Sequence, residues 1–135
     1  MANALYPLAR EKFLGGDLDW DAQTFKLVLV DLADYTYSAA HQWLSDIAAV
    51  GREETSGALA SKTKVQGTAD AADLAPAFPA AAGDPCEALI LFRDTGTPTT
   101  SDLVAYFDTG VTGLPVTLNG GDINVTFNAS GIFTL

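Results

Sequence analysis

The stretch EALILFRDTGTPTTSDLVAYFDTG, residues 87–110, decides how the chain is read. It holds two apolar runs, Ala88–Phe92 and Leu103–Phe107, and the triplet Asp-Thr-Gly follows both, at 94–96 and at 108–110. Aspartic proteases carry that triplet once for each half of a dyad in which two carboxylates about 3 Å apart share a proton. If the two runs pair as a hairpin, one triplet lies at the turn and the other at the far end. A five-residue strand already spans about 17 Å, so Asp94 and Asp108 cannot meet within one chain. Turn chemistry explains the triplets better: Asp caps the turn and Gly supplies positive φ. The stretch reads as two neighbouring buried strands with no catalytic dyad.

Working outward, the same grammar recurs. Beyond Gly51 the chain is a series of short runs, REET, KTKV, DLAPAFP, EALILF, DLVAYF, LPVTL, DINVTF and GIFTL, separated by Gly, Pro, Asn and Asp. Asn119-Gly120-Gly121 between LPVTL and DINVTF predicts a hairpin. In DINVTF, Ile123, Val125 and Phe127 fall on one face, as in a half-buried antiparallel strand. Pro76 and Pro79 would break a ladder in a central strand, so DLAPAFP belongs on an edge. Leu74, Pro76 and Phe78 keep period two, which argues against a linker in the Ala-rich piece 69–82. FKLVLV, residues 25–30, reads as a buried strand.

Two helices are expected in the N-terminal third. The first covers about 4–15, with Leu5, Leu8, Ala9 and Phe13 on one face, Pro7 in the first turn and Gly15-Gly16 as the stop. The second fits SAAHQWLSDI, residues 38–47, with Ser38 as cap and Ala40, Trp43, Leu44 and Ile47 as an apolar stripe. The expectation is one domain over 1–135, mainly β: an antiparallel β-sandwich over about 17–135 with two short helices in the N-terminal third.

Composition narrows the function. The 135 residues carry a net charge of -10, with seven Lys plus Arg against seventeen acids. A nucleic-acid partner needs a basic face that this balance does not supply, and anionic membranes are disfavoured for the same reason. No apolar run approaches the roughly 20 residues of a membrane span. The start MANALYPLAREKFL lacks the basic and apolar regions of a signal peptide, which predicts a protein made in the cytoplasm and used without secretion by that route. One cysteine, Cys86, predicts a free thiol. The patterns Asn124-Val-Thr126 and Asn128-Ala-Ser130 carry no weight as glycosylation sites without such a peptide.

The remaining residues offer little chemistry. Asp17, Asp19 and Asp21 resemble the start of a calcium loop, but Ala22 and Val28 stand where Gly and Glu are needed. They read as an acidic solvent face beside Leu18 and Trp20. His41 is the only histidine, and a pairing with Cys86 has no other support. The glycines form neither a Walker loop nor a dinucleotide fingerprint. No catalytic residue, cofactor site or metal site is expected. Aromatic residues crowd the first third, either filling the core edge beneath the helices or forming a binding surface. The candidates for partner contact are Leu5, Tyr6, Leu8, Trp20, Tyr35 and Tyr37.

Four segments together resemble a known family: MANALYPLAREKFLGGDLDW, VDLADYTYSAAHQWLSDI, GDPCEALILFRDTG and TGLPVTLNGGDINVTF. They are similar to small capsid decoration, or cementing, proteins encoded among the head genes of tailed bacteriophages. The most specific parts are ADYTYSAAH (33–41) and TGLPVTLNGGDI (112–123). The resemblance implies a jelly-roll sandwich, made in the host bacterial cytoplasm, that adds to the outer capsid surface of the virion and bridges neighbouring copies of the major capsid protein. It brings no catalytic residues. The alternative is another virion part, a tail or head–tail completion protein. The DLAPAFP edge, which lacks lysine, predicts a homodimer, with a trimer as the alternative.

Overall fold

The structure, a computed structural model, describes residues 3–109 and 114–135. Gly110, the last residue of the second triplet, lies outside the described residues. The centre is a five-stranded antiparallel sheet. It is built from β1 (Ala4–Leu5), β2 (Phe25–Val30), β3 (Arg52–Thr55), β7 (Ala88–Arg93) and β8 (Asp102–Phe107), in the order β1-β8-β7-β2-β3. β7 and β8 are the runs of the opening stretch, and they pair as a hairpin from Leu89 opposite Phe107 to Arg93 opposite Asp102. Val104 is the extra residue of a bulge in that ladder.

Near-continuous burial of β2, β7 and β8 shows that both faces of this sheet are covered. Alternation along β2 sends Phe25, Leu27 and Leu29 to one face and Val28 and Val30 to the other. Two smaller antiparallel sheets complete the fold. One has the order β10-β5-β4, with β4 Thr63–Val65, β5 Thr68–Asp70 and β10 Phe133–Thr134. The other pairs β6 (Leu74–Phe78) with β9 (Ile123–Val125). Contacts of Phe133 with Trp20, and of Trp20 with Phe25, bring the first small sheet over the Phe25 face. The chain is mainly β and antiparallel, as expected, and consistent with a sandwich. Among the described residues no helix is long and apolar enough to cross a membrane.

Three local expectations are corrected. The first helix, α1, is Pro7–Gly15 rather than 4–15. Ala4 and Leu5 instead pair with Tyr106 and Ala105 on the open edge of β8, and Pro7, lacking an N–H, begins the helix. Segment 38–47 is not an α-helix. Ser38 opens a turn by accepting the His41 N–H, and Trp43 runs extended beside Asp102. Bonds from Leu44 N to Ser101 O and from Leu103 N to Gln42 O tie the segment to β8, leaving only a short 3-10 turn at Leu44–Asp46. Sheet pairing outbids a helix whose Trp and Ile have modest propensity.

The third correction is the last hairpin. The Asn119 turn forms, with Gly120 at φ 86° and Gly121 N–H bonded to the Asn119 side chain. Its arms diverge, however. Val116 bridges to Cys86 and Asn119 to Ala82, while β9 takes β6 as its partner. DLAPAFP is an edge strand, as its prolines require, because among the described residues β6 pairs with β9 alone. Residues Ile123, Val125 and Phe127 do turn inward, while Asn124, Thr126 and Asn128 are exposed.

Candidate functional site

At the end of α1, Gly16 adopts φ 82° and its N–H bonds back to the Lys12 and Phe13 carbonyls. That left-handed cap suits glycine and reverses the chain within one residue. Leu18 and Trp20 therefore return to the sheet, whereas Leu14 is left in solvent, 89% exposed. The Trp20 ring lies 4.7 Å from Phe25 and 5.4 Å from Phe133, and its indole N–H donates to the Thr63 carbonyl at 2.9 Å. Phe13 lies 5.8 Å from Phe133 and 6.4 Å from Phe25. The indole is thus fixed by a polar bond at one edge and aromatic contacts on its body.

Above these rings opens a depression of about 480 Å³, lined by Phe13, Leu18, Trp20, Ala69, Phe133 and Leu135 together with Gly16, Asp19, Lys64 and Gly67. Leu135, 53% exposed, stands in its wall, and exposed Leu14 follows the lining residue Phe13 along the chain, whereas Val65 lines a separate depression with Thr63, Thr68 and Asp70. Of the large hydrophobic residues exposed among the described residues, Leu135 is the one in this lining. An apolar depression of this kind marks an interaction surface more often than scattered exposed leucines do. The acids Asp17, Asp19 and Asp21 flank it. Asp19 caps a turn by accepting N–H bonds from Asp21 and Ala22, and Asp21 pairs with Lys64, so they form the solvent face expected of them.

The six expected contact residues divide. Tyr6, Trp20 and Tyr35 are in the core, at 0%, 5% and 5% exposure, which corrects their assignment as surface anchors and fits the core-filling reading of the aromatics. Leu5, Leu8 and Tyr37 are half-buried. Only Trp20 of the six lines the depression, from its floor. Leu14, Val65 and Leu135 were missed by the sequence reading. An apolar residue gives no local sign of being outside when strand partners far away decide it.

The opposite sheet face carries a different cluster. Tyr6, Tyr37 and Tyr106 pack with ring centroids 5.0 Å and 5.3 Å apart in sequence Tyr6–Tyr37–Tyr106. The Tyr6 hydroxyl lies 2.8 Å from that of Tyr35, which lies 2.9 Å from Nδ1 of His41. Burial pushes the Tyr35 phenol up to about 12 and drives Tyr6 further still in the same direction. These hydroxyls stay protonated through the physiological range and act as hydrogen-bond links.

A second group absent from the sequence reading is acidic. Oxygens of Asp31, Asp34, Glu53 and Asp84 all lie within 4.8 Å of one another. They arrive from the end of β2, a bulge in β3 and the loop before β7, and so converge only in the folded sheet. Carboxylates so placed repel each other, and as hard oxygen donors they suit a hard cation. Asp31 already accepts the Ala33 N–H, as in an ordinary Asx turn.

The residues of catalytic type, Asp94, Asp108, Cys86 and His41, each have local structural contacts. Asp94 accepts the Gly96 N–H at 2.9 Å, with Gly96 at φ 88°, and pairs with Lys26 at 2.8 Å. The Lys26 bond holds its carboxyl below the usual range despite partial burial, with help from the Gly96 N–H. Asp108 stands at the other end of the hairpin, about 20 Å away at the rise of six strand residues. It accepts from the Tyr106 hydroxyl, and its own N–H donates to Asn3. Cys86 is buried and free, and burial plus the surrounding carboxylates push its thiol up to about 12. That is the reverse of an activated nucleophile. His41 faces Tyr35 rather than Cys86.

Neither a family model nor a curated protein matches this chain.

Proposed function

We propose that this chain is a structural virion protein that binds the outside of a bacteriophage capsid and bridges major capsid protein subunits. The observation that supports the reading is the apolar depression at the end of α1, lined by Phe13, Leu18, Trp20, Phe133 and exposed Leu135, with Leu14 exposed next to Phe13 in the chain. It lies on the N-terminal segment, which also carries part of the resemblance to decoration proteins. The proposed mechanism is mechanical. Each copy needs only a modest contact on two subunits, because joining the sites raises the effective concentration of the second. The acidic balance of the chain suits a place outside the shell, away from packaged nucleic acid. Self-association along the edge of β6, as a homodimer or a trimer, would supply the second contact.

The test is add-back to purified particles that lack the protein. Such particles are expected to assemble, yet to release DNA at a lower temperature. The wild-type chain restores resistance, and Leu14→Asp, which changes only an exposed side chain, does not. Deletion particles as heat-resistant as wild type contradict the cementing role, and failure to form heads at all contradicts surface addition.

A further inference from the structure

The chain of contacts from Tyr6 through Tyr35 to His41 has two links, 2.8 Å and 2.9 Å long. Tyr6 is fully buried, and its hydroxyl has Tyr35 as its hydrogen-bond partner among the described residues. Two links accommodate two hydrogens. If Nδ1 of His41 is bare, Tyr6 donates to Tyr35, Tyr35 donates to Nδ1, and every buried group is satisfied. If Nδ1 carries a hydrogen, three hydrogens share two links and one hydroxyl hydrogen is left without an acceptor. A buried unsatisfied polar group costs about 1–3 kcal/mol.

From this count we infer that His41 is locked as the neutral tautomer with its hydrogen on Nε2, and that acid unlocks the segment carrying it. Protonation adds the third hydrogen and breaks one link, releasing Tyr35 and the following residues from the sheet face they cover. The segment is poised for this, since beyond the tyrosines it is tied to β8 chiefly by the bonds of Gln42 and Leu44.

The groups around His41 come from several elements. Tyr35 shares its loop, and Asp46 in the adjoining 3-10 turn is close enough to interact with it electrostatically. Tyr6 precedes α1, Tyr37 stacks on Tyr6, and Tyr106 projects from β8 with Asp108 on its hydroxyl. Lys12 of α1 is directed instead to Asp102 and the Trp43 ring. Asp46 favours a charged His41, opposing the hydrogen count. Although burial pushes Asp46 up, the Trp43 and Gln42 N–H groups hold it below the usual carboxylate range. It therefore stays a carboxylate through the mildly acidic range.

Since His41 is the only histidine, its ring nitrogens are identified directly by 15N NMR of the full chain. At neutral pH the Nε2–H tautomer is expected; an Nδ1–H tautomer overturns the inference. Between neutral pH and about pH 5, hydrogen-exchange protection of the Leu44 and Leu103 amides should fall about tenfold relative to the β2–β7 ladder. His41→Asn places an amide oxygen near the Nδ1 position with nothing to protonate, and should abolish that fall. Equal loss in wild type and His41→Asn, or no loss in wild type, contradicts the latch.

Discussion

On one face of the central sheet, Phe25 meets Phe13 and Trp20 in a cluster whose one polar atom, the indole nitrogen, is satisfied by a backbone carbonyl. On the other face, Tyr106 meets Tyr37 and Tyr6, and the hydroxyl of Tyr6 continues through Tyr35 to His41. Both faces are closed by aromatic residues, yet by different physics. The phenylalanine face is held by area and shape and runs out into a depression walled by exposed Leu135. The tyrosine face is held partly by a count of hydrogens, and it answers to protons rather than to a partner. The difference teaches where to look for binding: an apolar cluster left open at its edge is a surface seeking cover, while a satisfied hydroxyl chain is complete.

The strongest way to break this contrast is to empty the phenylalanine face. Trp20→Ala should cost about 3–5 kcal/mol in urea unfolding, with Tyr37→Ala, at a half-buried ring, costing clearly less. Equal costs would erase the distinction in packing. Next comes the ion pair that ties α1 to β8. Asp102 is 4% exposed at its side chain and takes Lys12 at 2.5 Å. Lys12→Met should cost about 3 kcal/mol by leaving that carboxylate buried without its cation, and adding Asp102→Leu should recover most of the loss. Without recovery, the helix is held by packing instead.

Smaller effects sharpen the tyrosine side. Tyr6→Phe leaves Tyr35 donating to His41, so at neutral pH it should cost only about 0.5–1.5 kcal/mol. Smaller again is Asp94→Asn, which keeps an oxygen for the Gly96 turn and loses the pair with Lys26, about 0.2–1 kcal/mol. Because Lys26 holds the Asp94 carboxyl low, this contribution is present above the ordinary Asp value of about 3.9 and is lost as pH falls through the lower native value. The wild-type and Asn proteins should therefore converge in stability in strong acid. A gap that persists there would assign the effect to the turn rather than the charge.

How much of this was legible follows from how local each signal is. FKLVLV is β2 residue for residue, and the Gly15-Gly16 stop ends α1, because a buried run and a left-handed cap are written in adjacent residues. The two Asp-Thr-Gly triplets were correctly separated by strand length alone. By contrast, SAAHQWLSDI has helical spacing but lies where β8 offers an unpaired edge, and backbone pairing across sixty residues prevailed. The Asn119 turn was visible, but which strands its arms would join depended on Cys86 and β6. For the candidate site, residue type was legible and burial was not. Tyr6 and Tyr35 look like interface residues by type and are core by position, while Leu14 becomes exposed only because Gly16 turns the chain away from it.

The most direct measurement of the central claim is the copy number of the chain in purified particles, read by quantitative gel analysis against the major capsid protein. Surface cementing predicts a stoichiometry that scales with the capsid subunits, and loss of the band from particles reconstituted with Leu14→Asp. A few copies per particle would place the chain in a tail or head–tail joint instead, and its absence from the particle would contradict a virion role.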